Sequence, residues 1–152
     1  MANYFDGFEY SGAWFKQIDF VFNGKHEKVD VQIYEYDDNI IPNDGKNAFL
    51  NFVNNVDNNL SKIGEKVLEY YQNKKEELGH NLTENSSYTD YRSATDILST
   101  VHLIGITIPD QDDFIGDAVF LVFNCDWDKE NGLGIRLIGN KIEDIGGQDI
   151  AL

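Results

Sequence analysis

The chain has 152 residues, of which 41% are apolar and 13% aromatic, with two prolines and a net charge of −15. A chain of this length buries about 70% of its unfolded surface without metals or disulfides, and its composition excludes intrinsic disorder and collagen-like or low-complexity architectures. Net acid repels nucleic-acid phosphates and anionic lipid headgroups, so neither nucleic acid nor a membrane is an expected partner.

The first twenty residues carry Asp6, Glu9 and Asp19 and no base before Lys16, the reverse of a signal peptide. The longest apolar run, residues 118–123, is far short of the roughly 18 residues that span a bilayer. Cys125 is the single cysteine, and with His26, His80 and His102 it fits no zinc-ligand spacing. The expectation is a cytoplasmic protein without disulfide, metal or cofactor.

Residues 15–22 are aromatic and β-branched, and residues 27–36 alternate, with Val29, Val31 and Ile33 on one face and Lys28, Asp30 and Gln32 on the other. These are two strands, and Asn23-Gly24 between them accepts the positive φ of a tight hairpin turn. Past Pro42-Asn43-Asp44-Gly45 the period changes: Phe49, Phe52, Val53, Val56, Leu60, Ile63, Val67, Leu68 and Tyr71 form one helical stripe over residues 46–78. A straight helix of that span is about 50 Å long, against about 38 Å for the whole domain. The asparagine-rich stretch 54–59 competes for the backbone, so a break is expected there, with a stop at Gly79. Residues 80–91 read as a surface loop. Ser93-Ala94-Thr95-Asp96 then has the spacing of a helix N-cap, opening a short helix to about Ser99.

The remainder is β in character: residues 101–108, 117–124, 133–138 and 141–145, a four-strand meander. Residues 118–123 are apolar throughout, as in a central strand covered on both faces. The chain is therefore expected to form one α+β domain, residues 1–152, in which a largely antiparallel sheet (N-terminal hairpin plus C-terminal meander) packs against a long central helix.

Asp126, Asp128 and Glu130 alternate like calcium-loop ligands. Counted from Asp126, however, an EF-hand needs Gly at its sixth position and Glu at its twelfth, where this chain has Asn131 and Leu137. Cys125 beside two carboxylates is disfavoured as a thiolate nucleophile, and no phosphate loop, nucleophile elbow or dinucleotide fingerprint is present. The charge distribution is more informative. Residues 1–45 carry −6, residues 46–100 carry −2 and residues 101–152 carry −7. In a meander, the connection at 109–116 and the turn at Asn140 share one end of the sheet and the turn at 125–132 lies at the other, which places acid at both ends. Such a surface serves either solubility alone or the steering and docking of a basic protein partner.

The stretch Phe123-Asn124-Cys125-Asp126-Trp127-Asp128-Lys129-Glu130-Asn131-Gly132-Leu133-Gly134-Ile135, followed by Ile145-Gly146-Gly147-Gln148-Asp149, resembles a family of bacterial proteins of unknown function. Several relatives in that family occur as candidate immunity proteins beside polymorphic or contact-dependent toxins. The family has a long central helix ending in a tyrosine pair, like Tyr70-Tyr71, and it usually has histidine where this chain has Asn131. The resemblance implies a binding function and no catalysis: an immunity-type protein that neutralises a cognate toxin domain by occlusion. Acidic loops and aromatic anchors make Asp110, Asp112, Asp113, Asp126, Asp128, Glu130, Tyr34, Tyr36 and Tyr88 the candidate contacts. The expected partner is a toxin with a basic surface, bound by a monomer or weak dimer. The alternatives are a calcium-dependent or enzyme-like module using Asp126, Asp128 and Glu130, and a structural interaction domain.

Overall fold

Alternation of apolar and polar residues makes residues 14–33 a hairpin, and Asn23 and Gly24, at φ 53° and 74°, supply the mirror-image turn that matches strand twist. The computed structural model of the protein describes residues 5–35, 40–77 and 91–152. The hairpin strands are β2 (Trp14–Phe22) and β3 (Lys25–Ile33), preceded by a short β1 (Glu9–Tyr10). The meander follows as β4 (Val101–Ile108), β5 (Ala118–Cys125), β6 (Leu133–Ile138) and β7 (Lys141–Gly146).

The seven strands among the described residues form one open sheet in chain order. Every pairing is antiparallel except β3 with β4, which run parallel from Asp30↔Gly105 to Ile33↔Ile108. A parallel pair needs a crossover connection, and the helices α1 (Asn43–Glu77) and α2 (Ala94–Leu98) occupy it. The Ser93 hydroxyl caps α2 by accepting from the Asp96 N–H at 3.0 Å, as the spacing predicts.

Two expectations about α1 are corrected. It begins at Asn43 rather than Lys46, since Pro42 precedes it with its carbonyl accepting from the Lys46 N–H, and Asp44 sits in its first turn, where the helix dipole favours acid. It also runs unbroken through residues 54–59, about 52 Å in all. Two of these asparagines, Asn55 and Asn59, bond in ways that leave the helix intact. Asn55 Nδ2 donates to both the carbonyl and Oδ1 of Asn51, at 2.8 and 2.9 Å. Asn51 and Asn59 both reach the amide of Asn140 at the β6–β7 turn, at 3.4 and 3.5 Å. The expected stop at Gly79 and most of the loop at 80–91 lie outside the described residues.

The helical stripe (Phe49, Phe52, Val56, Ile63, Val67, Tyr71) is buried against one sheet face. Phe52 stacks on Phe20 of β2 at 5.9 Å, and Tyr71 meets Trp127 edge-on at 5.0 Å. β5 is covered on both faces, as its composition predicts. Val119, Leu121 and Phe123 join the helix-side core, while Ala118, Phe120 and Val122 form a second cluster with Ala151, flanked by Ile150. That second cover is the C-terminal 3-10 segment Gln148–Ala151, held by Arg136 Nε donating to the Ile150 carbonyl at 2.6 Å. Over β2 and β3 the same face carries exposed residues such as Gln17, Asp19 and Asp30.

Candidate functional site

Because β3 and β4 are parallel, their carboxyl ends leave the sheet side by side. The Tyr34 N–H donates to the Ile108 carbonyl at 3.0 Å, just past the last parallel pair, Ile33↔Ile108. The space between these ends is a cleft of about 410 Å³, lined by Tyr34, Glu35, Asp110 and Asp112 and closed by Asp44 from the first turn of α1. The chain's two prolines, Pro42 and Pro109, form part of its wall and stiffen the exits at fixed φ. Among the described residues no lysine, arginine or histidine lines it.

The acidic connection after β4 is held in place rather than loose. Asp110 accepts from the Asp112 N–H at 3.0 Å, capping the 3-10 turn Gln111–Asp113. The Gln111 side chain fastens that turn to the sheet: Nε2 donates to the Pro109 and Ala118 carbonyls at 2.9 and 3.0 Å, and Oε1 accepts from the Ala118 N–H at 2.7 Å. Around this end stand exposed apolar groups, Tyr34 at 41%, Ile40 at 57% and Ile115 at 99% relative exposure. Apolar anchors rimmed by one sign of charge characterise protein-binding surfaces more than small-molecule sites.

The other acidic turn differs in kind. Asp126 is exposed but sits 3.1 Å from His102 Nε2, while Glu27 lies 3.8 Å from His102 Nδ1. The Asp128 side chain is only 9% exposed. It accepts from the Asn131 N–H at 3.0 Å and from Asn131 Nδ2 at 3.3 Å, and Lys74 approaches it at 3.9 Å. Glu130 is exposed beside Lys129. Lys25 belongs to this end too, donating to the carbonyls of Leu98, at 3.2 Å, and Val101; burial holds its pKa below the usual lysine value. Acid is therefore interleaved with base here, and the three carboxylates do not converge. Among the described residues no cluster of three or more His, Cys, Asp or Glu side chains could hold a metal ion.

The structure thus brings Tyr34, Asp110 and Asp112 together, with Asp113 exposed on the same turn. It separates them from Asp126, Asp128 and Glu130 by the eight residues of β4, about 26 Å. Tyr36 and Tyr88 lie outside the described residues. Sequence reasoning missed Glu35, Asp44, Ile40 and Ile115. The acids belong to segments placed together only by the parallel pairing, and the isoleucines carry no periodic signal.

The glycine-rich stretch that follows Trp127 has an internal role. A Cβ on Gly132, whose φ is +61°, would fall 2.4 Å from Gln148 Nε2, and one on Gly134 would fall 2.5 Å from the Gly147 carbonyl. That close approach lets Gln148 Nε2 donate to the Phe123 carbonyl at 2.7 Å and to Asn124 Oδ1 at 3.1 Å, while its N–H donates to the Asn131 carbonyl. Cys125 is buried, and burial pushes its thiol up to about 12. The two glycine-containing blocks clasp the C-terminal segment to the sheet and present no reactive group.

Residues 4–152 match a family described as a domain of unknown function, DUF6985. The chain belongs to this family. The DUF6985 match spans the whole described sheet and both helices. No curated protein and no solved structure matches the chain. No helix among the described residues is long and apolar enough to cross a membrane.

Proposed function

We propose that this DUF6985 protein is a cytoplasmic immunity-type protein that binds a cognate bacterial toxin domain and neutralises it by occlusion. The observation that carries the reading is the end of the sheet around Tyr34. There Glu35, Asp44, Asp110 and Asp112 line a cleft with no basic residue among the described residues; Tyr34 of its lining is exposed, and so are Ile40, just before Pro42, and Ile115, just after the turn Gln111–Asp113. Acid of one sign accelerates encounter with a basic surface, and exposed apolar groups supply burial once contact is made. The resemblance of residues 123–135 and 145–149 to candidate immunity proteins points the same way. The cleft end is preferred over the Asp126 turn as docking surface, because lysines neutralise the latter and Asp128 is turned inward. A chain carrying −15 also repels its own copies, which favours a monomer meeting a different protein.

The test is co-expression with the product of the adjacent toxin-like gene. Survival of the cells and a one-to-one complex on sizing at low salt, weakened by Asp112→Lys and by high salt, is the expected result. Continued killing with folded protein present would refute the proposal.

A further inference from the structure

We propose that the outer edge of β2 is a strand-addition site that receives an extended, cationic segment of another protein as an eighth strand of the sheet. The inference goes beyond the acidic cleft and stands whether or not the partner is a toxin.

In an antiparallel hairpin closed by a two-residue turn, the residues flanking the turn exchange both backbone hydrogen bonds, and every second residue outward from them does the same. Here the flanking pair is Phe22↔Lys25, so Phe22, Phe20, Ile18 and Lys16 direct their backbone groups to β3. Val21, Asp19 and Gln17 consequently direct their N–H and C=O groups away from it. The only strand on that side among the described residues is β1, which pairs with Trp14 and Phe15 and goes no further. Three N–H and three C=O groups thus stand in a row without a strand partner among the described residues, on a strand whose other side chains, Ile18, Phe20 and Phe22, are buried in the core. Such a row is a template for a further strand.

The side chains around this edge select the occupant. Gln17, Asp19 and Val21 are exposed on the open face of the sheet, Val21 at 45%. Asp19 is bridged to Lys28 at 2.7 Å, but both groups are more than two-thirds exposed, so an incoming cation can compete for the carboxylate. A partner strand with a lysine or arginine opposite Asp19 and an apolar residue opposite Val21 satisfies both. A second copy of this chain fits poorly. The total charge opposes it, and antiparallel pairing centred on Asp19 would set two Asp19 carboxylates side by side.

The probe is a short end-capped peptide alternating valine and lysine, compared with the same peptide N-methylated at every amide, which keeps the charge and cannot pair as a strand. Amide hydrogen exchange is read residue by residue. In the free protein the Gln17, Asp19 and Val21 amides should exchange fast, and the unmodified peptide should slow them, whereas the N-methylated one should not. Asp19→Pro removes one outward N–H, and it should abolish this protection while the Phe20 and Phe22 amides stay protected. Should that variant fail to fold, Asp19→Lys is the second test: it should weaken binding of the valine–lysine peptide and favour a valine–glutamate one. Equal binding of the N-methylated peptide, or no protection at these three amides, would overturn the proposal.

Discussion

The indole N–H of Trp127 donates to the Thr100 hydroxyl at 3.0 Å, and the same hydroxyl donates to the Ile97 carbonyl at 2.6 Å. Both side chains are buried, so this relay joins the β5–β6 turn to the end of α2 with no water to replace it. Thr100→Val keeps the shape and orphans the indole, and it should cost about 1–3 kcal/mol. Trp127→Ala, which also removes the contacts with Tyr70 and Tyr71, should cost about 3–5 kcal/mol. Urea denaturation of the two variants checks the order.

Gly64 sits inside α1, where alanine ordinarily stabilises a helix by about 1 kcal/mol. Here a Cβ would lie 2.7 Å from the Cβ of Ala94 and 3.0 Å from its carbonyl oxygen, at the contact between α1 and α2. Gly64→Ala should therefore destabilise by about 1–3 kcal/mol. Ala94→Gly in the same chain should recover part of the loss, and thermal melts of the single and double variants would show it.

Burial raises the Cys125 thiol from an ordinary 9.0 to about 12. The folded state thus holds this proton more tightly than the unfolded state. The corresponding stability is complete below pH 9.0 and falls away as the pH climbs towards about 12. Near neutral pH the native thiol should resist alkylation by iodoacetamide, and it should react at the rate of a free cysteine only in denaturant. Rapid labelling of the native protein would contradict the burial described.

Lys25 bridges the carbonyls of Leu98 and Val101, where α2 hands over to β4. Lys25→Met keeps the aliphatic stem and leaves both carbonyls without that donor, at an expected cost of about 1–3 kcal/mol. Because burial lowers the Lys25 pKa, the folded state binds this proton less tightly than the unfolded chain. Stability should thus gain as the pH rises towards the ordinary lysine range, and the gain should vanish in Lys25→Met.

For the proposed docking surface, Asp112→Lys should slow association with a basic partner by a factor of about ten at low salt and by much less at high salt. Glu130→Lys, about 26 Å away across the sheet, should change the rate little. Stopped-flow kinetics across a salt series separates the two ends. Equal effects would mean that only total charge matters.

Much of the fold was legible because local chemistry and tertiary packing agree. Asn23-Gly24 makes the turn, Ser93 caps the short helix, and the 49–71 stripe faces the core. The helix break was misread because a partner of Asn59 lies elsewhere: Asn140 is 81 residues from it along the chain. The site was half legible. Acid and aromatic residues could be picked out, but the parallel pairing of β3 with β4 could not, and that pairing gathers Tyr34, Asp44 and Asp110 at one end. The neutralising Lys74 reaches the Asp128 turn from the far end of α1, which no local pattern reveals.

The parallel seam also sets a timetable for synthesis. Asp30 pairs with Gly105, so the hairpin leaves the ribosome with the outward backbone groups of β3 unpaired until some 75 further residues have followed, although α1 can cover the side chains Val29, Val31 and Ile33 sooner. At about 5–20 residues per second that is a delay of roughly 4–15 seconds. During this interval the nascent chain offers an unpaired strand edge to chaperones or to aggregation, and the cleft between β3 and β4 forms only once β4 has emerged.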